Sequence, residues 1–477
     1  MRKTAILMCV TLLGAAPPPH NSSASVDAKL RAMVAPVSEA QLHHTIATLV
    51  SFGTRHTLSS QTDPKRGIGA ALTWAHDEFA RYSAACGNCL EIIKPGEVFT
   101  GSRIPNPTMV YDMVAIQRGT ERPNDVVIIT GHIDSRVSDI LNFTSDAPGA
   151  NDDGSGVAAV MESARILSKH KFPATIVYAA VSGEEQGLYG AKVLANYAKA
   201  HGWNVLTDIN NDIVGGTCGS DGVCDKTHAR VLSEGPRSQG QVQLMTATHA
   251  LGGENDAPSR NISRFMDSLA DRLHIGLDVR QIWRTDRFGR GGDHIPFLEL
   301  GYPAARLNVA IENYNWQHQD LRTENGIKYG DTIDHVDFPY LAKMTKLDAA
   351  TLASIASAPP PPAPKVEGAV STDTTVTWAP VEGADHYIVR WRRTDANRWE
   401  HSRQAGPVRG CDTEPASTCP KGARAPISVS GITLPHIRVD DWVFGVASVS
   451  KDGFESPVAS AVPGGAFHPY VAPPKKP

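Results

Sequence analysis

Two apolar runs rich in β-branched residues, Val126-Val-Ile-Ile-Thr130 and Thr175-Ile-Val-Tyr-Ala-Ala-Val181, carry almost no polar positions. Unbroken runs of this kind predict strands covered on both faces, as in the middle of a parallel sheet. Between them Val157, Val160, Met161, Ala164 and Leu167 recur at helical spacing and would form one apolar face. Further helix-like stretches fall near residues 67–82, 188–201, 260–273 and 340–357. Strand, helix, strand in this rhythm predicts an α/β fold: a mixed, mostly parallel sheet with helices on both faces. The pattern changes after Ala358-Pro-Pro-Pro-Pro-Ala-Pro364, a stiff linker that cannot continue the preceding helix. Beyond it come short alternating segments, Thr374-Thr-Val-Thr-Trp378, Tyr387-Ile-Val-Arg-Trp391 and Val443-Phe-Gly-Val-Ala-Ser-Val449. They predict a small all-β sandwich.

At 477 residues the chain is too long for one ordinary domain. Apolar residues make up 41% and charged residues 20%, a composition that can bury a sizeable core. A net charge of −4 offers no basic field for phosphate backbones, which argues against nucleic acid as a partner. At the start, Arg2 and Lys3 precede an apolar run from Ala5 to Leu13 and then small residues. That order is the layout of a secretory signal peptide, ending near Ala16 or Ala24, and the run is too short to span a membrane. With Cys9 inside the signal, six cysteines fall into close pairs, Cys86 and Cys89, Cys218 and Cys224, Cys411 and Cys419. Close pairing suits disulfides in an oxidising compartment; a zinc knuckle at Cys86 and Cys89 lacks the second pair it needs. The expected layout is a signal over 1–24, a first domain over 25–357, a linker over 358–365, the sandwich over 366–465 and a disordered tail over 466–477. Within the sandwich, Trp378, Tyr387-x-Val389 and Val446-x-Ser448 followed by Asp452-Gly453 resemble a fibronectin type III domain.

Candidate chemistry gathers in the first domain, mostly just past predicted strands, where ligands bind in open α/β sheets. In Gly131-His132-Ile133-Asp134 strand alternation puts His132 and Asp134 on one side, so the carboxylate could hold a histidine ligand's second nitrogen. In Ala147-Pro-Gly-Ala-Asn-Asp-Asp-Gly-Ser-Gly156 a helix cap accounts for one aspartate, and the second of the pair Asp152 and Asp153 is free to face a cation. Ser182-Gly-Glu-Glu-Gln-Gly187 presents Glu184 and Glu185 in different directions, suiting one to metal and the other to protons. Asp212 lies among Ile209, Ile213 and Val214, where a buried carboxylate needs a partner. His294 follows the glycine-rich Gly289-Arg-Gly-Gly-Asp293. Two histidines with several carboxylates form a ligand set for a pair of divalent cations, and mixed nitrogen and oxygen ligands favour zinc over calcium or magnesium. No His-Glu-x-x-His helix occurs.

In order and context these segments resemble the co-catalytic di-zinc aminopeptidases of the secreted bacterial leucyl type, over most of residues 40–350. Ala147-Pro-Gly-Ala150 and Gly301-Tyr-Pro-Ala304 extend the likeness. The resemblance implies two zinc ions per chain, with Asp152 bridging them, His132 and Asp212 completing one site, and Glu185 and His294 the other. It implies Glu184 as general base, Asp134 as the residue orienting His132, and peptides with a free N-terminus as substrates. The chain departs from the family pattern around Asn313-Tyr-Asn-Trp-Gln-His318, which gives His318 no assigned role. The same centre could also serve a carboxypeptidase or a single-zinc glutaminyl cyclase. A non-catalytic secreted binding protein would need the site to have lost a ligand or its base.

Overall fold

The computed structural model describes residues 22–236, 242–406 and 430–462. Most of the expected signal, the Cys411 and Cys419 pair and the expected tail lie outside the described residues, and Ala24 falls inside the helix Ser22–Val34. The first part is built on an eight-stranded mixed sheet. At its centre Arg122–His132 pairs in parallel with Ala174–Val181 on one side and Asn204–Asn211 on the other. Ala304–Val309 continues the parallel run beside Asn204–Asn211. Antiparallel neighbours flank this centre, Met113–Gln117 at one side and His228–Ser233 at the other.

Both faces of the sheet are buried, which is why its strands read as continuous apolar runs. On one face Val127, Ile129, Ile176 and Tyr178 pack with the helices Glu39–Ser51, Gly154–Leu167 and Phe338–Ser357. On the other, Val126, Ile128, Val177 and Ala179 meet Leu194 and Ala195 of the helix Tyr189–Ala200, and Phe297. The Phe338–Ser357 helix starts with Asp337 accepting from the Tyr340 N–H and stops at Ala358, where prolines bar continuation. Cys86 with Cys89 and Cys218 with Cys224 form disulfides.

After the prolines, two antiparallel sheets of three and four strands share one core. Trp378 and Tyr387 pack edge to face in it, their ring centroids 5.1 Å apart. This part is fastened to the first by buried polar contacts. Arg392 Nη2 stands 2.7 Å from Asp256 Oδ2, and Ser460 Oγ donates to Asp256 Oδ1 at 2.7 Å. Both members of the Arg392–Asp256 pair are buried, so removing one strands the other's charge. Asp256→Ala should therefore lower the unfolding free energy by roughly 3–5 kcal/mol in urea titrations. A change below ~0.5 kcal/mol, the range of ordinary surface substitutions, would mean that the pair does not hold the two parts together.

Candidate metal centre

Parallel pairing delivers the chemistry to one place. His132 is opposite Val181 in the register, and Thr130 is opposite Asn210, so three neighbouring strands end side by side. His132 closes the first, Glu184 and Glu185 follow the second, and Asp212 follows the third. Asp152 arrives from the loop before the Gly154–Leu167 helix. Gly131 permits that approach: a Cβ there would lie 2.6 Å from the Gly156 backbone.

The neighbouring aspartates of this loop divide their work. Asp153 is the N-cap, accepting from Gly156 N–H at 2.8 Å and from His132 N–H at 2.9 Å. Asp152 faces the cluster instead. Its Oδ1 lies 3.0 Å from His132 Nε2 and its Oδ2 2.9 Å from His318 Nε2. His132 Nε2 is 4.0 Å from Asp212 Oδ1, and His318 Nε2 is 3.0 Å from Glu185 Oε1. Three groups result among the described residues: His132 with Asp152 and Asp212, His318 with Asp152 and Glu185, and His132 with Glu184 and Glu185; the first two share Asp152. His132 Nε2 and Glu185 Oε1 are buried and make no hydrogen bond despite neighbours 3.0 Å away. Buried donor atoms gathered this closely without hydrogen bonds suit the ligands of cations. The donors, imidazole and carboxylate, are those zinc takes.

His294, expected in this group, is not brought to it. Its ring is buried at the start of the helix His294–Glu299, where Nε2 donates to the Thr285 carbonyl at 2.7 Å. Burial pushes it down to about 4, so it is neutral and occupied elsewhere. The position beside Glu185 is taken by His318, from a loop whose path no hydrophobic period marks. Arg136 is drawn in as well, with Nε 2.8 Å from Glu185 Oε2 and Nη2 2.6 Å from His318 Nδ1. A guanidinium only donates, so Nδ1 faces a donor and Nε2 is turned to the two carboxylates.

Asp134 lies beneath His132, but it is the Asp134 backbone carbonyl that meets His132 Nδ1, at 3.0 Å, with the carboxylate 3.6 Å away. The carboxylate accepts from the N–H groups of Glu184 and Glu185, at 3.3 and 3.2 Å, and from Thr57 Oγ1 at 3.1 Å. It thereby fixes the short helix Glu184–Gly187 that aims both glutamates. Their protonation is driven apart. Burial, with Glu185 and Asp212 nearby, pushes Glu184 up to about 8. Glu185 is held down at about 2, where His318 and Arg136 outweigh its burial. Neighbouring carboxyls separated in this way can do different jobs.

Supporting residues that sequence reasoning missed surround the cluster. Arg306 is fully buried, with Nη2 2.8 Å from Asp212 Oδ2, leaving Asp212 Oδ1 to face His132. Asp331 accepts from Asn151 N–H at 2.9 Å and from Asp152 N–H at 2.7 Å. Arg55 is fully buried too, and donates to the carbonyls of Ile133, Pro148, Gly149 and Leu49 at 2.7, 2.6, 2.9 and 3.2 Å. It ties the His132 segment to the Asp152 loop. Burial lowers it to about 10, which still leaves it charged at neutral pH. Over the cluster lies a cavity of about 690 Å³. Among the described residues no helix is long and apolar enough to cross a membrane.

A doubly covered, mostly parallel sheet with histidines and carboxylates gathered at its strand ends is the zinc exopeptidase type of fold. Residues 112–350 match the model of peptidase family M28, and the chain belongs to that family. It is similar over most of its length to fungal relatives. One is a probable zinc metalloprotease of Leptosphaeria maculans, 41% identical over 91% of this chain and 97% of the relative. Another, of Pyrenophora tritici-repentis, is 41% identical over 94% of this chain and 91% of the relative. Among solved structures, the LapA aminopeptidase of Legionella pneumophila superposes with a TM-score of 0.52 at 19% identity, over 75% of this chain and 80% of that one. At that identity the likeness is one of fold.

Because Arg55 satisfies carbonyls on both ligand-bearing segments, Arg55→Met leaves buried acceptors unpaired. It should lower the unfolding free energy by about 3 kcal/mol or more, with Arg55→Lys recovering part of the loss. Chemical denaturation of the three proteins side by side checks this, and an unaltered midpoint for Arg55→Met would sink it.

Proposed function

We propose that the chain is an exported zinc-dependent aminopeptidase with two zinc ions per chain, hydrolysing peptides from a free N-terminus. The observation that carries this reading is the pair of ligand groups sharing Asp152, with Glu184 beside them lining the same cavity. In it His132, Asp152 and Asp212 would hold one ion, and His318, Asp152 and Glu185 the other. The names of the fungal relatives support zinc and proteolysis. Zinc in these positions supplies the Lewis acidity that activates a water and polarises a carbonyl. Glu184 takes the proton as water attacks the scissile carbonyl, and returns it to the leaving amine. Arg306 and Asp331 keep Asp212 and Asp152 turned inwards throughout. The charged start of the chain and the disulfides support export to an oxidising compartment. We also assign the C-terminal sheets to a fibronectin type III-like domain with a packing or attachment role.

Three outcomes are expected. Glu184→Gln should retain bound zinc yet lose at least ~10²-fold in kcat on an aminoacyl amide, and undiminished turnover would remove Glu184 from the mechanism. His318→Ala should lose about one zinc equivalent per chain by atomic absorption, whereas His294→Gln should keep its full complement. The opposite pattern would return the ligand role to His294. Blocking the substrate's amino group should abolish hydrolysis, and equal rates on blocked and free substrates would exclude an aminopeptidase.

A further inference from the structure

The wall of the cavity over the cluster is rich in arginine: Arg103, Arg136, Arg287 and Arg290 line it together with the acidic cluster residues. The apolar side chains among its lining residues are Leu188 and the ring of Tyr314, and polar groups make up about half of the wall. A site built for an aliphatic side chain is lined predominantly by apolar groups, and this one is not. We propose that it holds a carboxylate of the substrate between Arg103 and Arg290. The proposal rests on the peptidase reading above and adds the chemical class of substrate.

Charge pairing around the wall carries the argument. Arg136 is committed to Glu185 and His318. Outside the ligand cluster, the carboxylates that meet the other wall arginines are Asp286 and Glu312. Asp286 lies against Arg287 and Arg306 at 3.0 and 3.1 Å. Glu312 is shared among Arg230, Arg287 and Arg290 at 2.6, 3.0 and 3.0 Å. Two carboxylates, joined by Asp212 of the cluster against Arg306 and Arg287, thus serve four guanidinium groups, Arg230, Arg287, Arg290 and Arg306. Arg290 is the one of the two cavity-lining members of that set with more of its side chain in solvent, 32% against 8% for Arg287.

Arg103 is less satisfied still. It sits in the turn between the strands Gly96–Gly101 and Ile104–Tyr111, and Nη1 donates to the Glu185 carbonyl at 3.0 Å. No carboxylate lies within ion-pair distance of it among the described residues. One N–H of five therefore anchors the group beside a cluster residue, and the rest of the planar fork is available for an incoming carboxylate. Once Asp152, Glu185 and Asp212 are engaged by divalent cations, they no longer offset the wall. An anionic substrate group would then offset part of the positive charge of the wall, and a neutral one would offset none of it.

A substrate carboxylate has two sources, the side chain of an acidic terminal residue or the main-chain carboxylate of a short peptide. Near-isosteric pairs separate them in the zinc-loaded full chain. The first pair is glutamyl-alanine amide against glutaminyl-alanine amide, and the second is leucyl-alanine against its amide. The charged member of at least one pair should be preferred by about tenfold or more in kcat/KM, the scale of a charge-assisted hydrogen bond. The pair that discriminates names the source. R103Q and R290Q should each shrink that preference, and R103K should retain part of it. Discrimination within about twofold in both pairs, or a preference intact in the R103Q/R290Q double variant, overturns the carboxylate site while leaving the peptidase reading in place. Absence of chelator-sensitive hydrolysis on every substrate overturns the peptidase reading itself, and the proposal with it.

Discussion

The structure depends on keeping several buried carboxylates, the buried His132 and the partly buried His318 together at the end of one sheet. Unpaired, such a gathering would drive its members to neutralise or pull apart. Arg55 and Arg306 act against this through different partners. Arg55 spends its donors on main-chain carbonyls rather than on a carboxylate, so it locks two segments in place without consuming a ligand. Arg306 takes one oxygen of Asp212 and the carboxylate of Asp286, leaving the other Asp212 oxygen for the cavity. The helices and the sheet are generic; these buried cations make the cluster possible.

The same economy separates roles among chemically identical side chains. Asp152 and Asp153 are adjacent, yet one faces His132 and His318 while the other caps a helix. Glu184 and Glu185 are adjacent as well, and burial acts on both. Only Glu185 has His318 and Arg136 to keep it ionised. Protonation follows surroundings, and surroundings follow which way the short helix Glu184–Gly187, capped by Gly183, turns. Gly183 has a φ of 71°, which suits a residue without a Cβ at that turn.

The C-terminal sheets are held by the same means. The Arg392–Asp256 pair joins them to the segment just before the helix Pro258–Leu273, and Arg398 reaches Asp267 on that helix at 2.8 Å. Polar pairs across a seam specify orientation where apolar contact alone would allow sliding. The cavity over the cluster is lined by the first part of the chain, so the attachment leaves its composition unaltered.

Much of this was legible in one dimension. Residues 126–130 and 175–181 lie inside strands, the helical stretches appear within a few residues of their expected bounds, and His132, Asp152, Glu184, Glu185 and Asp212 come together. The reason is that periodicity reports burial, and in a parallel sheet burial fixes where strands end and hence what stands beyond them. His294 and His318 show the limit. Both follow polar loops, and nothing in their local spacing says which one returns to the sheet. The turn into the helix His294–Glu299 carries the first ring to the Thr285 carbonyl, and the 313–318 loop carries the second to Asp152 and Glu185. Arg55, Asp331 and the wall arginines were equally invisible, because a buried guanidinium is defined by partners far away in the chain. Sequence alone determined two central strands of the sheet, most of the helices packed on it and the histidine and carboxylates at strand ends. Tertiary structure decided which loop residues complete the cluster and which charges surround it, since loop paths are set by long-range packing rather than by local pattern.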